Sequence, residues 1–452
     1  MAQVSDISVS GGWNKVTLTA GRIFQCATVL LYAFVLAFQS GCESLNPPVP
    51  KTEYQTTLGR VAVVAGVQQP EVKFEGFARS KGEGAAKGAW DTFSSCAGAF
   101  GQGGCSGDFC GAALIVWLGV CGVSGVVGGV VGAAEAPSAE AVQSAQANMS
   151  AALKVTTIQE SLRDQIASAA IANGTSMVSV SPQQARDAVQ TRDYRCLASE
   201  GVDTVLEATL TKAGTQGNGI NKPVQVYMEA HIRLIRTADN NEVFSFDYTY
   251  RGERLKLSEW SANQGQLLLR SFNTGYERLG SHIYDSVFLL YTFPDRWPHS
   301  AGGLLCSSFG LAPISPATRG QLTGDQIIGS SFEWTTVGTL QPTLRWQSFP
   351  RESDVRLLPE EMGRVKNIRY DLIIARERNL EPAEVVYRRD GLPDCVHKVE
   401  MPLSYGTCYF WTVRARFELD GRQRVTEWGS THYYVWGQFT APTSYSYRFK
   451  TQ

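Results

Sequence analysis

The chain has 452 residues, long enough for two or three domains with cores of their own. Basic and acidic residues nearly cancel, at a net charge of −1, so no basic field points to nucleic acid. Five histidines are few for a metal or acid–base enzyme, and the ten cysteines need a compartment before they can be interpreted.

The amino terminus supplies that compartment. Lys15 and Arg22 precede a mostly apolar run, Ile23–Phe38, interrupted by Gln25; Gln39, Ser40, Gly41 and Cys42 follow. Positive, then apolar, then small is the order of an export signal. Ser40-Gly41-Cys42 resembles the bacterial lipoprotein signal, which is cut before a cysteine that carries lipid such as palmitate. The resemblance implies a signal over residues 1–41 and lipidation of Cys42. Gln39 departs from the aliphatic residue usual there, and an uncleaved anchor helix is the alternative. Glu43 in place of aspartate implies, by resemblance to enterobacterial lipoproteins, an outer-membrane protein facing the periplasm. Residues 42–52, with Asn46-Pro47-Pro48-Val49-Pro50, read as a stiff tether.

Arg60–Gly66 predicts a buried first strand and Glu71–Gly76 a more exposed second one. From Phe77 the composition turns glycine-rich, marking an insertion over residues 77–136. Within it, Phe109–Ala134 holds no charged residue and is bounded by Asp108 and Glu135. As one helix it would be ~39 Å long at ~1.5 Å per residue, against ~30 Å of hydrocarbon in a bilayer. Gly122, Gly125, Gly129 and Gly132 are spaced three, four and three, which places them on one helix face. Gly125-x-x-x-Gly129 and Gly128-x-x-x-Gly132 are pairs that let helix backbones approach closely in lipid. A buried Gly/Val-rich hairpin in a soluble domain is the competing reading, since both residues form helices poorly in water. Gly82, Gly84 and Gly88 extend the bias upstream, so a hairpin returning on itself is also open. Glu83 and Lys87, four apart, predict an ion pair on a helix face.

Cys96, Cys105 and Cys110 crowd the approach to the uncharged run, with Cys121 inside it. In an exported chain such cysteines are disulfide candidates. Zinc fits less well, because no histidine lies near and the spacings form no CxxC pair.

Pro137 breaks any helix leaving the run. Ser138–Ile171 then predicts a helix, with Leu153, Ile158, Leu162, Ile166 and Ile171 near helical spacing and Asn173-Gly174 as the stop. Ser176–Ser181 predicts a short strand and Pro182–Thr191 a helix. Val202–Leu210 alternates as a strand; Val224–Arg236 and Val243–Tyr250 form an antiparallel hairpin turned by Asp239-Asn240-Asn241. Gly265–Tyr291 predicts a long helix with a core stripe of Leu268, Phe272, Tyr276, Leu279, Ile283, Val287 and Leu290. This element order is an α+β plan.

With Ala62–Val64 opening the domain, VDTVLEATL following a helix and RLIRTADNNEVF ending the next strand, residues 53–291 are similar to the α/β domain of envelope lipoproteins. The families meant are the curli-secretion lipoproteins and the amino-terminal domain of the Tol-system propeller protein. The likeness implies envelope assembly or secretion without catalysis. In the curli-secretion family inserted segments cross the membrane as β-hairpins; the Gly/Val-rich insertion here does not alternate as a barrel strand would.

Residues 292–338 read as a long Pro/Gly/Ser-rich linker, free to pack on its neighbours, carrying Cys306, which could bridge to Cys196. Residues 339–452 show short strands with turns between them, a β-sandwich pattern. Leu403, Gly406, Thr407, Tyr409, Val413 and Ala415 fit the spacing of a fibronectin type III motif, and the segment resembles that family; Gly406 stands where proline is common. The resemblance implies Tyr409 as the tyrosine-corner residue, its hydroxyl bonded to upstream backbone, Trp346 and Tyr370 on the core, and a spacer or binding module without catalytic residues. Cys395 and Cys408, thirteen apart, are a further disulfide candidate, which would add ~3 kcal/mol through loop closure. Tyr433, Tyr434, Trp436, Tyr445 and Tyr447 are either a binding face or alternating sheet residues.

For chemistry, Asp203 and Glu207 sit four apart on one strand face, without an accompanying base or ligand. His231 alternates with apolar neighbours. No GxSxG, HExxH or P-loop occurs. The expectation is a non-catalytic outer-membrane lipoprotein, without cofactor or metal, that anchors, self-associates and holds a protein partner. A pore or secretion-channel subunit using residues 109–134 is the first alternative, and a cell-wall or glycan hydrolase the second.

Overall fold

The computed structural model describes residues 58–102, 126–127, 130–154, 157–217, 219–293, 299–301, 304–316, 334–376, 385–434, 443–445 and 447–452. The export signal, Cys42, the tether, Cys105, Cys110, Gly122, Gly125, Gly129 and most of the uncharged run lie outside the described residues. The architecture is α+β, with one mixed sheet wrapped by helices and a second, all-β unit resembling a sandwich.

The first sheet has five strands. β1 (Val61–Ala65) and β2 (Glu71–Phe74) follow one another along β3 (Thr204–Gln216), both parallel to it, with Val61 opposite Thr204 and Glu71 opposite Lys212. β4 (Val224–Arg236) and β5 (Asn241–Leu255) complete it as antiparallel neighbours. Parallel pairing demands a long crossover. It contains α1 (Lys81–Gln102), a returning helical stretch that reaches Glu135, α2 (Ala139–Lys154), α3 (Ile158–Ala172) and α4 (Pro182–Thr191).

β1 reads as an unbroken apolar run because it is covered on both faces. Val61 packs with α2, α3 and α5 (Leu257–Tyr284), whereas Ala62 and Val64 pack with α4 and the turn at Tyr194–Leu197. β5 alternates because one of its faces stays open to solvent: Tyr248 and Tyr250 are buried, Ser245 and Asp247 exposed. The stripe expected along α5 is buried from Leu268 to Ile283 and continues at Val287.

Several boundaries differ from expectation. The single helix over Ser138–Ile171 is two helices, Ala139–Lys154 and Ile158–Ala172, and the sequence between them is β-branched, which lowers helix propensity. The strand over Ser176–Ser181 reduces to one bridge, Met177 to Val61. Ser181 instead caps α4, its hydroxyl accepting the Gln184 N–H at 3.3 Å. A short helical stretch from Leu257 precedes the long helix and is parted from it by non-helical backbone at Ala262–Gly265; the long helix thus begins where expected, at Gly265, but ends earlier, at Tyr284. A wider helical turn (Asp285–Leu289) and β6 (Leu290–Tyr291) follow it.

The 292–338 stretch is no free connection where it is described. β7 (His299–Ala301) and β8 (Leu304–Phe309) join β17 (Ser430–Tyr434) and β18 (Thr443–Tyr445) in a four-stranded sheet. β9 (Pro313–Ser315) and β10 (Thr336–Val337) enter the sandwich itself.

That sandwich has two facing sheets. β9 pairs with β11 (Thr343–Trp346), which pairs with β14 (Val396–Lys398). The larger sheet runs β10-β19-β15-β12-β13, from β12 (Lys366–Ala375), β13 (Val385–Leu392), β15 (Cys408–Leu419) and β19 (Tyr447–Thr451). β16 (Arg422–Thr426) doubles back on β15 and pairs in parallel with β6. Trp346, Trp411, Tyr370, Val413 and Phe449 fill the space between the sheets.

Candidate functional site

The glycine-rich insertion forms a helical hairpin at its base. α1 starts at a cap in which the Ser80 hydroxyl accepts the Glu83 N–H at 3.1 Å and the Glu83 carboxylate accepts the Arg79 N–H at 2.8 Å. Glu83 is thus spent on the helix start, and not on the ion pair with Lys87 that its spacing suggests. The returning arm comes back against α1 at Gly132. A Cβ on Gly132 would stand 2.2 Å from the Gly84 carbonyl oxygen, and one on Gly84 would stand 2.5 Å from the Gly132 carbonyl oxygen. Only glycine at both positions lets the two backbones meet. So where the glycine face is described, α1 of the same chain occupies it.

The returning arm of this hairpin is apolar on its outward side. Val126, Val127, Val130 and Val131 on the returning arm are exposed by 48–69%, and Trp90 on α1 by 63%. Among the described residues no helix is long and apolar enough to cross a membrane. Cys96 lies within α1.

The open face of the first sheet carries paired polar residues. Asp203 and Glu207, expected on one strand face, have separate partners. Asp203 accepts the Arg60 N–H at 2.8 Å and is half exposed. Glu207 is nearly buried and accepts from the Tyr194 hydroxyl and from Arg233 at 2.9 Å. Burial, followed by the neighbouring Glu207 carboxylate, pushes the Tyr194 phenol well above its usual range. Arg233 also reaches Glu242 at 2.6 Å.

One strand position on, His231 Nδ1 lies 2.6 Å from Asp247, and His231 Nε2 lies 3.2 Å from the Ser245 hydroxyl. Carboxylate, imidazole and hydroxyl in that order match a nucleophile relay, a grouping not legible in the sequence because its members come from two strands. The three stand on a flat, open surface, with the Asp247 side chain 62% and the His231 side chain 36% exposed. Water, not preorganised dipoles, would meet charge developing there.

A cluster of buried charges lies where the two units meet. Arg414 of β15 donates to Asp285 at 2.7 Å and to Asp371 of β12 at 2.9 Å. Asp371 also accepts from Arg416 at 3.0 Å and from the Gly391 N–H at 3.1 Å. Burial works against ionising Asp371, but the guanidinium groups of Arg414 and Arg416 outweigh it and hold its carboxyl below the usual range. Arg414 also lies over the Trp428 ring, 4.5 Å from its centroid. His282, in the last turn of α5, meets Tyr248 edge-to-face while its outer side is exposed. The protein packed on its inner side strips solvent from the ring and holds the imidazole below its usual value, Asp285 opposes that shift, and Arg414 adds to it.

In the sandwich, Tyr409 is 1% exposed and its hydroxyl accepts the Ser404 N–H at 2.9 Å, five residues upstream. Trp346 and Tyr370 meet in the core with ring centroids 5.6 Å apart. Cys395 and Cys408 are free thiols, not the expected disulfide. The Cys395 carbonyl receives the Trp346 N–H beside the smaller sheet, whereas Cys408 opposes Lys450 in the larger one, so the two belong to different layers. Cys196 is free and exposed, not bridged to Cys306. Of the terminal aromatics, Tyr447 is buried, its hydroxyl donating to the Leu311 carbonyl at 2.8 Å. Tyr433 and Tyr445 lie on β17 and β18, and Trp436 is outside the described residues.

No family model matches the sequence, and no curated protein matches it. Two solved structures are similar in part. The lipoprotein GNA1162 of Neisseria meningitidis is 23% identical over 23% of this chain and 60% of its own, at a TM-score of 0.14. Protein XCC0632 of Xanthomonas campestris, of family DUF330, is 14% identical over 22% of this chain and 58% of its own, at a TM-score of 0.15. The chain thus spans less than two thirds of either neighbour, and at these scores the likeness carries no conclusion about role.

Proposed function

We propose that this chain is a non-catalytic bacterial envelope lipoprotein. It is held by lipid at Cys42 on the outer membrane, faces the periplasm, and acts as a scaffold in envelope assembly. The observation that carries this reading is the division of its surface. The charged clusters described above are closed on themselves, whereas exposed apolar side chains gather on the hairpin that grows out of the α/β unit. Such a molecule is built to hold and contact, not to transform a substrate.

The carboxy-terminal unit fits a fibronectin type III module. β13-β12-β15-β19 faces β9-β11-β14, Trp346 lies between the layers, and Tyr409 makes the upstream backbone bond. The β15–β19 connection departs from a simple hairpin by carrying β16, β17 and β18. A protein partner docking on this module completes the scaffold role. A pore built through the glycine face is the poorer reading, because at Gly132 that face is already filled by α1.

Growth with radiolabelled palmitate tests the anchor, and light scattering on the detergent-extracted protein tests the scaffold. The wild-type chain should take up label, Cys42→Ser should not, and the particle should not be ring-sized. Label retained in Cys42→Ser removes the lipoprotein reading. A ring that falls to monomers when Phe109–Ala134 is deleted replaces the scaffold with a pore.

A further inference from the structure

We infer that the collar formed by Trp90, Val126, Val127, Val130 and Val131 is a bilayer contact, so that the hairpin is a second, protein-built attachment to the same membrane. This rests on the envelope reading only for the lipid that brings the chain near. Successive helical residues are ~100° apart, so the four valines occupy an arc of ~140° and Gly132 falls outside it. The returning arm therefore meets α1 at Gly132 and leaves its described valines in solvent.

Polarity is graded along α1. Lys81, Glu83 and Lys87 lie toward the domain, Trp90-Asp91 marks the change, and Thr92–Gly107 contains no charge. Asp108 is then the single charged residue before Glu135. Tryptophan at such a change of polarity is the residue that settles at the level of lipid headgroups. Exposed apolar side chains stand on both arms of the hairpin, which suits a solvent that surrounds it, such as lipid, better than a partner covering one stripe. Distance permits the contact: from Cys42 to Leu58 the chain spans no more than ~55 Å even when fully extended.

The test uses the mature chain from residue 42 onward with Cys42→Ser, so that no acyl chain contributes. Flotation with phosphatidylethanolamine vesicles containing a minor share of phosphatidylglycerol is read at high salt. The protein should float. Combined Val126→Glu, Val127→Glu and Val130→Glu should cut the floating fraction about tenfold, with the thermal midpoint unchanged because all three side chains are exposed. Ile171→Glu, at a side chain 71% exposed on α3, should change nothing.

Failure of the unsubstituted chain to float overturns the inference, as does flotation unaffected by the triple substitution or equally affected by Ile171→Glu. A doubled mass in vesicle-free solution, lost in the triple variant, assigns the collar to a second copy and also overturns it. Absence of palmitate on Cys42 with flotation intact sinks the lipoprotein reading and leaves the bilayer contact standing.

Discussion

Arg414 serves two carboxylates from two parts of the chain, and the nearby His282 imidazole is held below its usual value. That combination fixes how stability responds to acid. In the unfolded chain the His282 imidazole titrates near 6.5, and in the fold its value is lower. Below about pH 6.5 the unfolded chain takes a proton that the folded chain refuses, so stability falls from there toward the folded value. Asp371 acts later. Its contribution is present above its unfolded value of 3.8 and is lost as pH falls through its lower folded value. His282→Phe keeps a ring against Tyr248 and should flatten the first stage while leaving the second. His397, also held low by burial, keeps the flattening incomplete. Urea midpoints across a pH series measure this, and an unaltered slope just below about pH 6.5 would assign it to other groups.

At the scale of elements, the two arms of the hairpin are joined where neither has a side chain. Gly132→Leu puts its Cβ against the Gly84 carbonyl and the Ile220 side chain, and backbone cannot yield as a flexible side chain does. Overpacking of this kind costs about 1–3 kcal/mol. The cost should appear locally, as faster proteolysis within residues 92–134 with the rest of the digest unchanged. Gly338→Ala, with open space around it, should leave the digest as it is. The glycine periodicity was legible in the sequence; the partner of the glycine face was not, because spacing says which residues share a side and nothing about what meets it. The same holds elsewhere. β4 and the α5 stripe were legible because burial on one side imposes a period of two or 3.6. The interface at Arg414 was not, since its partners lie 43 and 129 residues away. Cys395 and Cys408 looked joinable by separation alone, and the layering of the sandwich keeps them apart. The residues read as a linker gave no period because their strands are short and pair with segments far along the chain.

For the molecule as a whole, the question is whether the α/β unit and the sandwich move as one body. The chain passes from α5 through one wide turn directly into β6, which pairs with β16. Tyr284, Leu289 and Leu290 pack with Ala170 on one side and Val425 on the other, and Tyr291 sits 5.5 Å from Phe417. With the Asp285–Arg414 bridge beside this seam, opening it exposes apolar surface and strands a buried charge together. Calorimetry should therefore show one cooperative transition. Arg414→Met should lower stability by about 3–5 kcal/mol, because Asp371 loses its closest counter-charge in a dry site. Leu290→Asp should do something different. It breaks the seam without touching either core, so the single transition should separate into two. A wild-type chain that already melts in two steps would mean that the seam does not couple the units. The sandwich could then turn freely relative to the hairpin, and a partner bound to it would be tethered to the membrane without being held at a set height above it.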